Sequence, residues 1–165
     1  MATNDNLKAA FAGESQANRR YLAFAKQAQQ DGRPQIAKLF RAVAEAETIH
    51  AHSHLRVLGE VKSTADNLKA AIDGESYEFT TMYPEFLQAA KAEGNKAAAT
   101  SFERALAVER IHHALYEQAL QAAGAGSDAP SAKLYVCGVC GNTVLGDPPD
   151  VCPICGASHK FFEVA

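Results

Sequence analysis

The sequence predicts an all-α four-helix bundle followed by a small, β/loop-rich C-terminal domain. Three observations carry that expectation. Residues 4 to about 123 are rich in Ala, Leu, Glu, Gln and Lys, all good helix formers, and are interrupted at only three short stretches. Apolar and small residues recur there at three- and four-residue spacing, as on helices that bury one stripe. All four cysteines lie after position 136, beyond "AAGAGSDAPSA" at 122–132, a small and turn-rich run where helical periodicity stops. The expected organisation is a bundle over 1–123, a linker over 124–132 and a second domain over 133–165.

The four helices are expected at 4–30, 34–60, 65–92 and 95–123, punctuated by "DGRP" at 31–34, "EVKSTADN" at 60–67 and "AEGN" at 92–95. Ser63 or Asp66 is placed to cap the third helix, and Pro84 inside it should kink it. Each helix has a seam. The first runs Leu7, Phe11, Glu14, Asn18, Tyr21, Ala25, Ala28; the second Ile36, Phe40, Val43, Glu47, His50, His54, Val57, Val61. The third runs Leu68, Ala71, Glu75, Glu78, Met82, Ala89, with a phase slip near Pro84, and the fourth Ala98, Phe102, Ala105, Glu109, His112, Tyr116, Ala119. Every seam is apolar or small at its ends and ionisable in its middle.

Residues equidistant from the turn of an antiparallel hairpin lie side by side. Glu14 and Glu47 are centred beside "DGRP", and Glu75 and Glu78 pair with Glu109 about "AEGN". The carboxylates of each hairpin therefore meet at one level, about 24 Å from the turn at ~1.5 Å per residue. The offsets 14→47 and 75→109, 33 and 34 residues, also suggest an internal duplication. Five carboxylates in one apolar layer would be ruinous without compensating charge, and no lysine or arginine occupies a seam middle. Metal cations resolve the conflict. Ferritin-like di-iron bundles carry a Glu on each of two helices and Glu-x-x-His on each of the other two. Here Glu14 lies on the first helix, "ESYE" (75–78) on the third, and "ETIH" (47–50) and "ERIH" (109–112) on the second and fourth. A single Glu-x-x-His is most often a solvated face; two, with partners matched in depth, are not. Oxygen and imidazole donors suit iron or manganese. Glu47 and Glu109 are best placed to bridge two ions, with Glu14, Glu75 and His112 as terminal ligands, which leaves His50 and Glu78 as a surplus. His54 lies one turn from His50 and reads as packing or support, while His52 and His113 fall off the seams and should face solvent.

The tail reads "YVCGVCGNTVLGDPPDVCPICG". Cys137 and Cys140 form one CxxC, Cys152 and Cys155 the other, with eleven residues between. That is a strong tetrathiolate signal, for iron or for zinc. Gly141 and Gly156 each follow a pair and allow the tight turn that aims amide N–H groups at sulfur. A one-electron iron site beside a di-iron bundle makes sense of both halves.

The net charge of −3, with two lysines against three acidic residues from 130 onward, gives no reason to expect nucleic acid. No run of about 18 apolar residues exists to span a membrane. The opening "MATNDNLKAAFAGES" lacks the basic and apolar regions of a secretory signal, so a cytoplasmic protein with reduced cysteines is expected.

Over essentially its whole length the sequence resembles the rubrerythrins. The stretches that carry the resemblance are "FAGESQANRRY" (11–21), "AEAETIHAH" (44–52), "AIDGESYEFTTMYPEF" (71–86), "ERIHHALY" (109–116) and the double-CxxC tail. It implies a ferritin-like bundle holding two non-haem irons, plus one iron in a rubredoxin-type Fe(Cys)4 site. The implied di-iron ligands are Glu14, Glu47, His50, Glu75, Glu78, Glu109 and His112; the implied rubredoxin-type ligands are Cys137, Cys140, Cys152 and Cys155. His50 and Glu78 would exchange on one iron with redox state, and Tyr21 and Tyr83 match the family's tyrosines near the metals. The implied activity is reduction of hydrogen peroxide to water in oxidative-stress defence. Electrons would pass through the tail from NAD(P)H by way of a separate reductase or a rubredoxin, since no nucleotide-binding fingerprint is present. A homodimer or larger homo-oligomer is implied, and because the tail starts some 21 Å beyond Glu109, delivery to a partner's site is the simpler arrangement. The alternative is a ferritin-like ferroxidase or iron-handling protein with a structural zinc tail.

Overall fold

In the computed structural model, residues 2–164 are described, and they divide into two compact units, up to Lys62 and from Ser63. The first unit is a helical hairpin, α1 (Ala2–Gln30) and α2 (Pro34–Val57). Gly32 at φ +69° reverses the chain, the Arg33 N–H bonds back to the Ala28 carbonyl at 2.8 Å, and Pro34 opens α2 where no N–H is needed. The buried residues of this hairpin are small: Ala25 and Ala28 on α1, Ala37, Ala44 and Ala51 at seven-residue spacing on α2. Alanines let the two backbones approach closely, so the face of α2 turned to α1 is this stripe and not the seam of larger residues. Ile36 and Val57 of that seam stay exposed. Asn18 ties the helices together, donating from Nδ2 to the Ala44 carbonyl at 2.7 Å and to Thr48 Oγ1 at 2.8 Å.

The second unit begins with α3 (Thr64–Tyr77), continues through a π-helical segment (Glu78–Met82) into α4 (Tyr83–Ala92), and returns along α5 (Lys96–Gly124). Ser63 is the cap, its Oγ accepting from Asp66 N–H at 3.2 Å and donating to the Asp66 carboxylate at 2.7 Å. Asn95 caps α5, accepting from Ala98 N–H at 3.1 Å. The kink expected at Pro84 takes the form of the π segment. Proline offers no N–H to Thr80 and its ring crowds that carbonyl, and the helix widens by one residue just before it, with Tyr83 N–H bonding to the Glu78 carbonyl.

That single residue explains the mismatch between the hairpins. Glu47, His50, Tyr21, Phe24 and Phe40 each recur 62 positions later as Glu109, His112, Tyr83, Phe86 and Phe102, whereas Glu14 recurs after 61 as Glu75. The π segment lies between Glu75 and Tyr83 and restores the phase. The repeated aromatic clusters match closely: Tyr21–Phe24, Tyr21–Phe40 and Phe24–Phe40 have ring centroids 6.3, 6.2 and 5.6 Å apart. Tyr83–Phe86, Tyr83–Phe102 and Phe86–Phe102 give the same three distances, 6.3, 6.2 and 5.6 Å.

After α5 the chain forms β1 (Leu134–Cys137), β2 (Thr143–Leu145) and β3 (Phe161–Val164), an antiparallel sheet in the order β2-β1-β3. Tyr135 faces Val144 across one ladder and Glu163 across the other. The start of β2 and the Gly141 turn before it lie against α5. Val108 of α5 is buried there, and its Cγ1 is 3.9 Å from where a Cβ on Gly141 would sit. No seam reading could place Val108 in a core, because the element covering it is the tail. His113, expected to face solvent, is partly covered too: Phe79 stands edge-on to its ring at 5.4 Å and Glu117 lies 3.5 Å from Nδ1. No helix among the described residues is long and apolar enough to cross a membrane.

Candidate metal centres

In the tail the two CxxC turns bring four sulfurs together. Gly141 (φ +84°) and Gly156 (φ +73°) adopt the left-handed conformation that a side chain would resist, and their N–H groups bond to the Cys137 and Cys152 carbonyls at 2.9 Å. Cys137 Sγ is 3.8 Å from Cys155 Sγ, and Cys140 Sγ 3.6 Å from Cys152 Sγ. Sulfurs bound to one ion at about 2.3 Å lie roughly 3.8 Å apart on a tetrahedron, whereas a disulfide needs about 2.05 Å. The four thiols do not share protons evenly. Burial pushes Cys140 up to about 12. Burial works against ionisation of Cys152 as well, but N–H groups of Cys155 and Ile154 and the neighbouring thiols outweigh it and bring it to about 6. The cluster is built to hold negative sulfur, which a bound cation would complete.

Each helical hairpin carries one carboxylate–imidazole triad. In the first, Glu14 from α1 meets Glu47 and His50 from α2, with ligand atoms all within 4.8 Å of one another. In the second, Glu75 from α3 meets Glu109 and His112 from α5 at the same closeness. His50 Nδ1 is 3.0 Å from Glu47 Oε2, and His112 Nδ1 is 2.8 Å from Glu109 Oε2 and 3.8 Å from Glu75 Oε1. Among the described residues no lysine or arginine forms an ion pair with Glu47, Glu75 or Glu109. Burial first, then the charge of Glu109 and a hydrogen bond with it, raise the Glu75 carboxyl, with His112 and His113 opposing. Burial and the charge of Glu75 likewise raise Glu78, against His112.

The tautomer of His112 can be argued from its other nitrogen. Thr143 Oγ1 donates to the Gly141 carbonyl at 3.1 Å, so it can only accept from His112 Nε2, which is 3.0 Å away. The Gly141 carbonyl is a second acceptor at 3.4 Å. Nε2 therefore carries a proton, and the ring turns Nδ1 toward two carboxylates. Such an arrangement asks for a cation between them, a proton or a metal ion, and the donor set fits iron.

Glu78 stands apart from the second triad, one turn on from Glu75 at the start of the π segment, and its counterpart in the first hairpin is Ala17. Tyr21 and Tyr83 sit in the two aromatic clusters. Burial, then the charges of Glu78, Glu109 and Glu75, raise the Tyr83 phenol, so it holds its proton. His52 is exposed and His54 half-buried, and neither joins a triad. Sequence reasoning missed Thr143 and Asn142. The only available signal was their place directly after the Cys140–Gly141 turn.

Two carboxylate–imidazole triads on helical hairpins, with a tetrathiolate domain appended, define a di-iron carboxylate protein with a rubredoxin-like domain. Comparison with known proteins identifies the family. The rubrerythrin family model matches residues 5–120, and the model for the rubrerythrin rubredoxin-like domain matches residues 135–163. Rubrerythrin-2 of Clostridium acetobutylicum is 37% identical over 98% of this chain and 95% of its own. Nigerythrin of Nitratidesulfovibrio vulgaris is 37% identical over 93% of this chain and 82% of its own. The solved structure of fully reduced, all-ferrous nigerythrin, 36% identical, superposes with a TM-score of 0.59 over 98% of this chain and 86% of that one. The chain belongs to the rubrerythrin family. Its cofactors are a di-iron centre and one iron in the four-cysteine site, and it is an oxidoreductase.

Proposed function

We propose that this chain reduces hydrogen peroxide to water, drawing electrons through its own tail from an NAD(P)H-linked reductase or a rubredoxin, in the cytoplasm and as a homo-oligomer. In this reading residues 1–123 and 133–165 are two redox modules joined by the linker 124–132. Glu14, Glu47, His50, Glu75, Glu78, Glu109 and His112 hold the di-iron pair, and Cys137, Cys140, Cys152 and Cys155 hold the single iron. The observation that carries the reading is the His112 ring. One of its nitrogens faces the carboxylates Glu109 and Glu75, the other faces Thr143 and Gly141, next to Cys140. An iron store or a purely structural tail gives no reason for that contact.

When bound, the iron pair supplies the two electrons that cleave the O–O bond, and the thiolate iron passes on single electrons. Reduction of one peroxide to two waters also consumes two protons. Tyr83, whose phenol is held protonated beside three carboxylates, is placed to give one at Oη. Tyr21 has the same aromatic setting on the first hairpin. His50 and Glu78 are proposed to exchange as ligands with redox state: an anionic oxygen suits the ferric charge and a neutral imidazole the ferrous one. Thr143 fixes the His112 ring by accepting from Nε2. Sequence geometry favours a partner's tail as the electron source, but the contact with His112 supports delivery within one chain.

The reading is tested by mixing anaerobically reduced protein with hydrogen peroxide. The absorption of the oxidised thiolate iron should return rapidly in the natural sequence and at least a hundredfold more slowly in Glu109→Ala. Equal rates in the two proteins would defeat it.

A further inference from the structure

The two cysteine turns of the tail share one backbone pattern. Cys137 N–H donates to the Asn142 carbonyl and Cys152 N–H to the Ala157 carbonyl, each at 2.9 Å. Asn142 and Ala157 therefore hold equivalent places, each directly after the glycine that closes its turn. The symmetry ends at their side chains. Asn142 is 2% exposed, and its Nδ2 lies 3.7 Å from Cys152 Sγ, across in the opposite turn. Ala157 has no donor to return to Cys137. Cys152 also receives the backbone N–H groups of Ile154 and Cys155, so its sulfur gathers an extra donor that a symmetric site would lack. Asn142 is one of two buried polar residues among those described, and a buried amide donor is retained only where an acceptor repays its lost hydration.

We propose that Asn142 is a positioning residue that raises the reduction potential of the four-cysteine iron by donating its side-chain N–H to Cys152. The physical reason is charge. A ferric ion with four thiolates carries one net negative charge, and the ferrous site carries two. The added electron comes without a proton, and the sulfurs take up part of it. A fixed N–H dipole aimed at one sulfur therefore binds the reduced site more tightly than the oxidised one. Hydrogen bonds to charged acceptors exceed neutral ones by about tenfold in an equilibrium constant, and the second negative charge should strengthen this bond by a similar factor. For a one-electron couple a tenfold factor is about 59 mV. The inference rests on iron in the four-cysteine site and not on peroxide as substrate.

The test is a spectroelectrochemical titration of the thiolate-iron band in the full chain, without peroxide or electron donor. Asn142→Leu keeps the branching at Cγ and removes the donor. Its midpoint should fall by about 59 mV, tenfold in the electron-sharing constant, with the di-iron titration unmoved. A midpoint within a twofold factor of the natural sequence would overturn the proposal, since a merely structural role alters melting or iron retention and leaves the potential alone. Should Asn142→Leu fail to load iron, the natural sequence loaded with cadmium-113 decides: a scalar coupling between the metal and the Asn142 side-chain N–H is required, and its absence overturns the proposal. Absence of peroxide turnover in the natural sequence, with the potential shift of Asn142→Leu still observed, would sink the peroxide reading and leave this one standing.

Discussion

Replacing Thr143 by valine tests how closely the tail is coupled to the second triad. The substitution keeps shape and β-branching on β2 and deletes only the hydroxyl that accepts from His112 Nε2 at 3.0 Å. The Nε2–H group then falls back on the Gly141 carbonyl at 3.4 Å, a longer and poorer bond. The net loss for one part-buried hydrogen bond is about 1 kcal/mol, a factor of roughly five in favour of other ring orientations and tautomers. Removing a partner that orients a ligand histidine typically costs 10–100-fold in metal affinity or activity. With a second acceptor still present, the lower end, about tenfold, is expected. Two measurements check it. Nitrogen-15 shifts of His112 in the zinc-loaded chain should show a pure Nε2–H tautomer in the natural sequence and a mixture in Thr143→Val. Single-turnover transfer from the reduced thiolate iron should slow by about tenfold. An unchanged tautomer together with a rate within twofold would show that the contact orients nothing.

Three further outcomes are expected. If each tail serves the hairpin it is attached to, as proposed from the His112 contact, mixing Cys140→Ala chains with Glu109→Ala chains should yield hybrids that do not turn over peroxide; an active hybrid would restore delivery between chains. Asn18→Leu should cost the metal-free protein about 1–3 kcal/mol in denaturant unfolding, since it removes the buried donor that joins α1 to Ala44 and Thr48 on α2. For pH, the Glu75 and Glu78 carboxyls are raised above their ordinary value of 4.5 in the fold, so the native state binds protons more tightly than the unfolded chain. Their ionisation therefore costs stability as pH rises from the unfolded toward the folded values, and the cost is relieved on acidification through that window. The melting temperature of metal-free Glu75→Gln/Glu78→Gln should fall less steeply with rising pH there than that of the natural sequence; identical slopes would refute the assignment.

Both hairpins and both cysteine turns were legible in the sequence because each rests on local periodicity or fixed spacing. "DGRP" and "AEGN" set the turns, Ser63 the cap and CxxC–Gly the two tail turns. The pairing of Glu14 with Glu47 and of Glu75 with Glu109 followed from counting residues back to each turn, and the structure brings those carboxylates within ligand reach. What could not be read depends on contacts distant in sequence. The Ala37–Ala44–Ala51 face was hidden because alanine suits any helix position, so periodicity favoured the larger residues beside it. Val108, Asn142 and Thr143 acquire their roles only when the tail meets α5 or one cysteine turn meets the other, and no spacing rule encodes that meeting.

The π segment has a consequence for how the two repeats can be edited. Its one inserted residue is absorbed inside a continuous helical rod and not in a loop, so it leaves the ends of the hairpin where they were and shifts only the faces beyond it. Positions in the first hairpin translate to the second by adding 61 up to the insertion and 62 beyond it. Glu78 sits at the changeover, and its counterpart is Ala17, so the second hairpin carries a carboxylate there that the first lacks. A single extra backbone unit is enough to set the two hairpins out of step, and removing it is a concrete route by which an engineer could return them to one register.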